Sequence, residues 1–270
     1  MRGLIVNNRL GAAARGLRDR WELFRAAAGR VEQVGFLAND YLARLLLERL
    51  CLPGRIFIDV GAHIGSVVDG VRRHSRPAHI VAVEAIPEKA AALRRRFPGT
   101  TVHALALGEA AGEARFFVAE SQSGYSSLDA TLSERAANVR AITVPVERLD
   151  ALVAAEGVDV VKIDVEGAEL GVLRGAEAVV AASRPSILLE SGPEAMAAYP
   201  KAALWDWADA HDYALLVPDR VAHQDDGLSR DGFLEAHLYP RRTTNYWAIA
   251  RERRDEVRAR ARDVLRLDRR

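Results

Sequence analysis

A few acids and glycines in this sequence have the types and spacing for chemistry. Asp59, Gly61 and Gly65 fall within R-I-F-I-D-V-G-A-H-I-G, residues 55–65. Ile56-Phe57-Ile58 is an apolar run with β-branched residues, and an apolar helix from Ser66-Val67-Val68 follows the glycines. A buried strand that enters a glycine turn and then a helix is the usual nucleotide-cofactor corner of an α/β sheet. Gly61 would let the backbone take an otherwise forbidden angle and approach a ligand. Gly65 would bring the helix start near it, where unpaired N–H groups point outward. The spacing G-x-x-x-G lacks the third glycine of a dinucleotide fingerprint. Asp59 would repel a pyrophosphate but could face a cation such as an α-amino group. The rival reading is an ordinary strand–loop–helix with chance glycines.

Further acids close later strands. His79-Ile80-Val81-Ala82-Val83-Glu84 ends in a carboxylate about 20 residues past the turn, where an α/β nucleotide site places one on ribose hydroxyls. A carboxylate suits that task because it accepts from two neighbouring hydroxyls at once. Val158 to Glu169 is an apolar strand that emerges into Asp164, Glu166, Gly167 and Glu169. Arg184-Pro185-Ser186-Ile187-Leu188-Leu189-Glu190 is another strand ending in an acid. Charges at the carboxyl ends of strands lie on the side where open α/β sheets bind ligands. Lys162, inside an apolar strand, is costly unless paired; Asp59 or Asp164 could pair with it. Glu166 and Glu169 could instead only complement a helix N-terminus, which leaves Asp164 unexplained.

The elements that must position these residues alternate between strand and helix. Residues 9–34 carry Leu10, Leu17, Trp21, Leu23, Phe24 and Val31 among arginines and alanines, an amphipathic pattern. Residues 37–50 form another helix, broken by Pro53-Gly54 before the first strand. Pro87 opens a helix through Arg96, and Pro98-Gly99 ends it. Thr101 to Leu107 is the next strand. Ala114 to Ala119 pairs either with that strand or with Ile142 to Val146. Gly124-Tyr125-Ser126-Ser127-Leu128 is a small, polar loop, over a ligand or merely on the surface. Leu149 to Ala155 is a short helix, Leu204 to His211 a helix, Tyr213 to Val217 a strand, and Asn245 to Ala250 the last strand. Residues 218–244 are polar, with His223, Asp225, Asp226, His237 and Tyr239. A loop of that length reads as a substrate lid or a solvated connection, and it shows no tight metal-ligand spacing. Arg251 to Arg270 mixes arginines with acids around Val257, Val264, Leu265 and Leu267, as a surface helix or frayed tail would.

Composition narrows the class. The chain has 270 residues, 49% of them hydrophobic, and a net charge of +1, which fits a soluble globular protein and not a nucleic-acid binder or a disordered chain. The one cysteine, Cys51, excludes an internal disulfide and follows an apolar helix as a structural thiol would. A reducing cytoplasm is the expected location. No apolar run approaches the roughly 18–20 residues of a membrane span, and the first residues are too briefly apolar for a secretory signal. The N-terminal helical face could meet a membrane surface or a partner; a cover packed on its own domain is the preferred reading.

Taken in order, F-I-D-V-G-A-H-I-G, V-A-V-E-A-I-P-E, A-L-A-L-G-E, S-G-Y-S-S-L, V-K-I-D-V-E-G-A-E-L-G-V-L-R-G-A and R-P-S-I-L-L-E resemble the FkbM family of S-adenosylmethionine-dependent methyltransferases. The family more often has Asn where this chain has His63. The resemblance covers residues 53–192 strongly and 193–250 in outline. It implies an α/β fold of class I methyltransferase type, Rossmann-like, with a mostly parallel seven-stranded sheet, one antiparallel strand near its carboxyl edge, and flanking helices. The implied layout is an N-terminal helical extension (1–52), a methyltransferase domain (53–250, with a substrate lid at about 193–244), and a C-terminal helix or tail (251–270). S-adenosylmethionine would be held by Asp59, Gly61, Ala62, His63 and Gly65 around its amino-acid end. Glu84 would take the ribose hydroxyls, Ala85 is a further cofactor-binding candidate, and Ala106, Leu107, Ser126 and Ser127 would lie near the adenine or the mouth. Asp164 would sit close to the sulfonium.

The resemblance also implies O-methylation of a sugar, glycan or polyketide hydroxyl, and hence a small-molecule or glycan partner. An alcohol is a weak nucleophile, so a base is wanted. Asp164, Glu190 or Glu166 would accept the proton. His63 is a competing base or simply a hydrogen-bonding loop residue. A divalent ion bridging the acids is a lesser alternative, and no metal ligands are assigned. Trp205, Trp207, Tyr239, Tyr246 and Trp247 could stack on sugar rings or pack the core. Two rivals are an NAD-dependent dehydrogenase on a similar sheet and a non-catalytic module that keeps the fold for assembly.

Overall fold

The computed structural model describes residues 18, 21–77, 79–119, 139–192 and 198–269. After helix α1 (21–29) and helix α2 (Val34–Leu50), β1 (Ile56–Val60) starts the sheet. Then come α3 (Ser66–His74), β2 (His79–Val83), α4 (Pro87–Arg96) and β3 (Thr101–His103). A small excursion of β4 (Ala106–Leu107), β5 (Gly112–Ala119) and β6 (Val139–Glu147) follows. The chain returns through α5 (Leu149–Leu152), β7 (Val158–Ile163), α6 (Glu169–Arg174), α7 (Glu177–Ser183) and β8 (Ser186–Glu190). It closes with α8 (Ala202–Ala210), β9 (Tyr213–Leu216), α9 (Arg230–Ala236), β10 (Asn245–Ala250) and α10 (Arg254–Leu265).

The main sheet has seven strands in the order β3-β2-β1-β7-β8-β10-β9. The first five run parallel, and β10 lies antiparallel to both β8 and β9. Parallel strands covered on both faces read as near-continuous apolar runs; every residue of β7 is buried, and so are the last four of β1. Successive side chains go to opposite faces. Phe57 joins a core with α2 and α10, whereas Ile58 joins the core on the other face, with α6, α7 and α8. The strand order reverses between β1 and β7, which opens the ligand crevice of an open α/β sheet at their carboxyl ends.

One strand expectation changes and one open pairing is decided. Thr101 to Leu107 divides, because the His103 carbonyl takes the Glu84 N–H at 3.0 Å and the chain then leaves the main sheet. Ala106 and Leu107 pair instead with Val146 and Glu147 in a second sheet, β4-β6-β5. Of the two partners open to Ala114–Ala119, the structure selects the second: Ala114 faces Val144 and Phe116 faces Ile142, antiparallel.

The ends are also more tightly held than their composition suggests. Helix α2 buries Ala43, Leu46, Leu47 and Leu50, so it is a layer of the same core as β1. Helix α10 is docked, not frayed: Val257 and Ala261 are wholly buried. Its arginines are not simply solvated. The carboxylate of Asp159, at 0% exposure, accepts from Arg260 at 2.7 Å, Arg253 at 3.0 Å and the Leu52 N–H at 2.8 Å. Arg260 also donates to the Leu50 carbonyl.

None of the described residues of 193–244 is among those that line the two clefts at the sheet's carboxyl edge. Instead Phe233 and Ala236 are buried against the far edge of the sheet. The aromatic residues divide accordingly. Tyr246, Trp247 and Trp207 are core, Trp205 is half-buried and donates to the Leu228 carbonyl, and Tyr239 is exposed.

Candidate active site

The glycine turn is built on left-handed backbone. Gly61, His63 and Gly65 have φ of 75°, 49° and 77°. Glycine takes these angles without cost, and among other residues Asn, Asp and His are enriched there. That accounts for a His at position 63 where the resembled motif more often has Asn. Gly61 is required for a second reason, since a Cβ there would run into the Asp164 carbonyl oxygen. A Cβ on Gly65 would meet Leu93 and Phe97 of the neighbouring helix layer. Gly65 lines neither cleft, so its task is packing α3 against α4 rather than approach to a ligand.

Two clefts meet at this turn. The first is lined by Gly61, His63, Glu84, Ala85, Asp164 and Glu166, with Ala106 and Leu107 of β4 and the apolar Ile86 and Phe116 completing it. The departure of the chain after His103 is therefore what furnishes its outer wall. Glu84 is buried at the end of β2. Its Oε2 accepts the His63 N–H at 2.7 Å, and its Oε1 accepts the Ile86 N–H at 2.9 Å. An ionised carboxylate has about four acceptor positions, so a fixed Glu84 still offers lone pairs to a ligand. Burial raises the Glu84 carboxyl above its ordinary range, against the pull of those N–H groups and of Lys89.

Lys162 sits beneath the junction of the clefts. Its ammonium donates to the Gly61 carbonyl at 2.8 Å, and it lies 3.1 Å from Asp164 Oδ2 and 3.3 Å from Asp59 Oδ1. Both acids considered for it thus serve. Burial disfavours the charged lysine, but Asp164 and Asp59 outweigh that and raise its pKa. Asp59 is raised as well: it is at 0% exposure, and Lys162, shared with Asp164, does not offset the cost of burial. The contact with Lys162 is an ion pair without hydrogen-bond geometry at Asp59. Asp59 lines neither cleft. Its cation partner in the fold is Lys162.

Asp164 lines both clefts, together with Gly61 and His63. Ala62 and Glu190 line only the second, and Glu166 only the first. Asp164 bears on both glutamates. Burial and then the Asp164 carboxylate push Glu190 up to about 9. Burial, followed by Asp164 and Glu169, pushes Glu166 up to about 7. Glu166 also has φ 50°, a left-handed angle outside glycine, and such strain clusters at functional sites. Ser126 and Ser127 lie outside the described residues. Among the described residues, no group of three or more His, Cys, Asp and Glu is placed to hold a metal ion, and no helix is long and apolar enough to cross a membrane.

Several cleft residues were not singled out from the sequence. Lys89 follows Glu84 by five positions in the first turn of α4, and only that proximity could have suggested it. Phe116 and the residues of α2 come from elements whose register no local pattern specifies.

The first cleft suits a nucleoside bearing an amino-acid tail. It combines a buried carboxylate held by two backbone N–H groups, a turn stripped of side chains at Gly61, and apolar walls. A family model described as a methyltransferase FkbM domain matches residues 59–213. No curated protein matches the chain. Among solved structures, methyltransferase FkbM from Methylobacillus flagellatus is similar, with a TM-score of 0.45 and 17% identity over 73% of this chain and 43% of that one. Thus the present chain spans less than half of that protein's length. Precorrin-6y C5,15-methyltransferase from Geobacter metallireducens aligns with a TM-score of 0.39 and 15% identity, over 66% of this chain and 73% of that one. Magnesium protoporphyrin IX methyltransferase from Synechocystis, with bound SAM, gives 0.36 and 9%, over 78% and 84%.

Proposed function

From the premise that the chain belongs to the FkbM methyltransferase family, whose model spans more than half of its 270 residues, we propose that it is an S-adenosylmethionine-dependent O-methyltransferase acting on a hydroxyl of a small molecule or glycan. The observation that carries this reading is Asp164, which stands in the common wall of two clefts. The first cleft would hold S-adenosylmethionine, which when bound would supply an electrophilic methyl group on sulfur, with S-adenosylhomocysteine as the leaving group.

The residues of the chain do the rest. Glu84 takes the ribose hydroxyls. Gly61 leaves its backbone bare beside the amino-acid end, and the β4 wall of Ala106 and Leu107 covers the base. Asp164 accepts the acceptor's hydroxyl proton at the junction. Lys162 holds Asp164 in place through their 3.1 Å ion pair. Glu190, neutral at pH 7 because its pKa lies near 9, can donate a hydrogen bond within the acceptor cleft, where a second anion would repel Asp164. Glu166 adds a carboxyl on the cofactor side.

Calorimetry tests the cofactor half. S-adenosylhomocysteine should bind with micromolar affinity and NAD should not; the opposite result would favour a dehydrogenase, and binding of neither a non-catalytic module. Incubation with methyl-labelled S-adenosylmethionine and fractionated cell extracts tests the transfer. Label should enter an ether that resists mild base; label in a base-labile methyl ester would overturn the hydroxyl acceptor, and label in an amine would overturn the O-methyl assignment altogether.

A further inference from the structure

The second cleft has walls that the family match does not include. Its inner wall is Gly61, His63 and Asp164, shared with the cofactor cleft, and Glu190. Its outer wall is α2, through Asp40, Tyr41 and Arg44. Helix α2 ends at Leu50, before the matched residues 59–213 begin. Asn245, also outside the match, closes the floor and donates to Asp40 Oδ1 at 2.9 Å. Arg44 lies over the Tyr41 ring, 5.5 Å from its centroid, and pairs with Glu48 at 3.5 Å. The leucines on the buried side of α2 fix this row, because Leu46, Leu47 and Leu50 are locked into the core.

We propose that this second cleft is the acceptor-binding site and that Asp40, Tyr41 and Arg44 of α2 determine which acceptor is methylated. The inference rests on the methyltransferase reading above. An oxygen held between α2 and Asp164 faces the first cleft across the shared wall, as transfer between two bound molecules needs. The chemistry of the walls describes the ligand. Arg18, Arg44 and Lys162 oppose Glu22, Asp40, Asp164 and Glu190, so the cleft has no strong excess of either sign. Hydrogen-bond donors and acceptors sit beside an aromatic face. Such a lining fits an uncharged, hydroxyl-bearing acceptor and disfavours a phosphorylated or carboxylated one.

The test uses the full chain and the variants Asp40→Asn, Tyr41→Phe, Tyr41→Ala and Arg44→Ala. Each is assayed for S-adenosylhomocysteine binding by calorimetry, for thermal melting, and for label transfer into the extract fraction that the wild-type protein labels. The expected result is S-adenosylhomocysteine affinity within about threefold of wild type, and kcat/KM for that fraction lower by about tenfold or more, a loss of roughly 1.4 kcal/mol in transition-state binding. The loss should fall mainly on the acceptor's KM, Tyr41→Phe should retain more activity than Tyr41→Ala, and the labelled material should pass unretained through anion and cation exchangers. Wild-type rates in all four variants would overturn the proposal. So would parallel loss of melting temperature and cofactor binding in Asp40→Asn and Tyr41→Phe, which would make α2 purely structural. Retention of the labelled product on an ion exchanger would overturn the uncharged class. Absence of S-adenosylhomocysteine binding by the wild-type protein would bring down the methyltransferase reading, and this inference with it; loss confined to the acceptor step leaves that reading standing.

Discussion

Gly61 and Asp164 share one space: a side chain on Gly61 would have to occupy the position of the Asp164 carbonyl oxygen. The turn after β1 and the turn after β7 are thereby pressed together at the point where the strand order reverses. The Lys162 ammonium bonds to the Gly61 carbonyl and pairs with Asp164, so it links the two turns.

Gly61→Ala should therefore be damaging beyond the strain of a φ of 75°, which by itself costs about 1–3 kcal/mol. The expected outcome is a lower melting temperature and S-adenosylhomocysteine affinity reduced by about tenfold or more. Calorimetry beside a thermal melt separates the two effects.

Asp164→Asn keeps the size of the side chain and removes its basicity. Turnover should drop by about 10²–10⁴-fold, the usual range for loss of a general base, while cofactor affinity changes much less. If kcat survives in this variant, Asp164 only positions the acceptor. Asp164→Asn also deprives Lys162 of one counter-ion, so the variant should melt lower than wild type.

The carboxyls of Glu166 and Glu190 set a pH dependence of stability. Both are raised in the fold from an ordinary 4.5, to about 7 and about 9. The folded state then holds protons that the unfolded chain releases, so stability falls as pH rises. The contribution is whole below about pH 4.5, declines through 7, and is lost by 9. Glu190→Gln should flatten the upper part of a plot of melting temperature against pH, and Glu166→Gln the lower part. Unchanged slopes in both variants would contradict these shifts.

Asp159 ties α10 to the start of β7, far from the clefts. Its partners Arg253 and Arg260 are themselves largely buried. A buried charge left without any partner costs about 3–5 kcal/mol; Asp159 keeps Arg253 and the Leu52 N–H in Arg260→Ala, so that variant should lose less than this yet still unfold at lower denaturant. Methyl transfer per folded molecule should be unchanged, which distinguishes this pair from the site residues.

Much of the cofactor half was legible in the residues alone. Apolar β-branched runs, glycines at left-handed positions and acids at strand ends are local signals, and they located β1, β2, β7 and β8 with Gly61, Glu84, Asp164 and Glu190 at their carboxyl ends. The acids converge because parallel strands in one sheet bring their carboxyl ends to one edge. What a local pattern could not carry was any partnership across the chain. Asp59 reads as a ligand-facing acid, yet its burial beside Lys162 depends on the pairing of β1 with β7. Asn245 meets Asp40 across 205 positions, and Arg260 meets Asp159 across 101. Only the tertiary structure decided that α2 walls the second cleft and that the strand after β2 leaves the sheet to cover the first. Those outcomes depend on which faces bury one another, a property of the whole packed core and not of any single window of sequence.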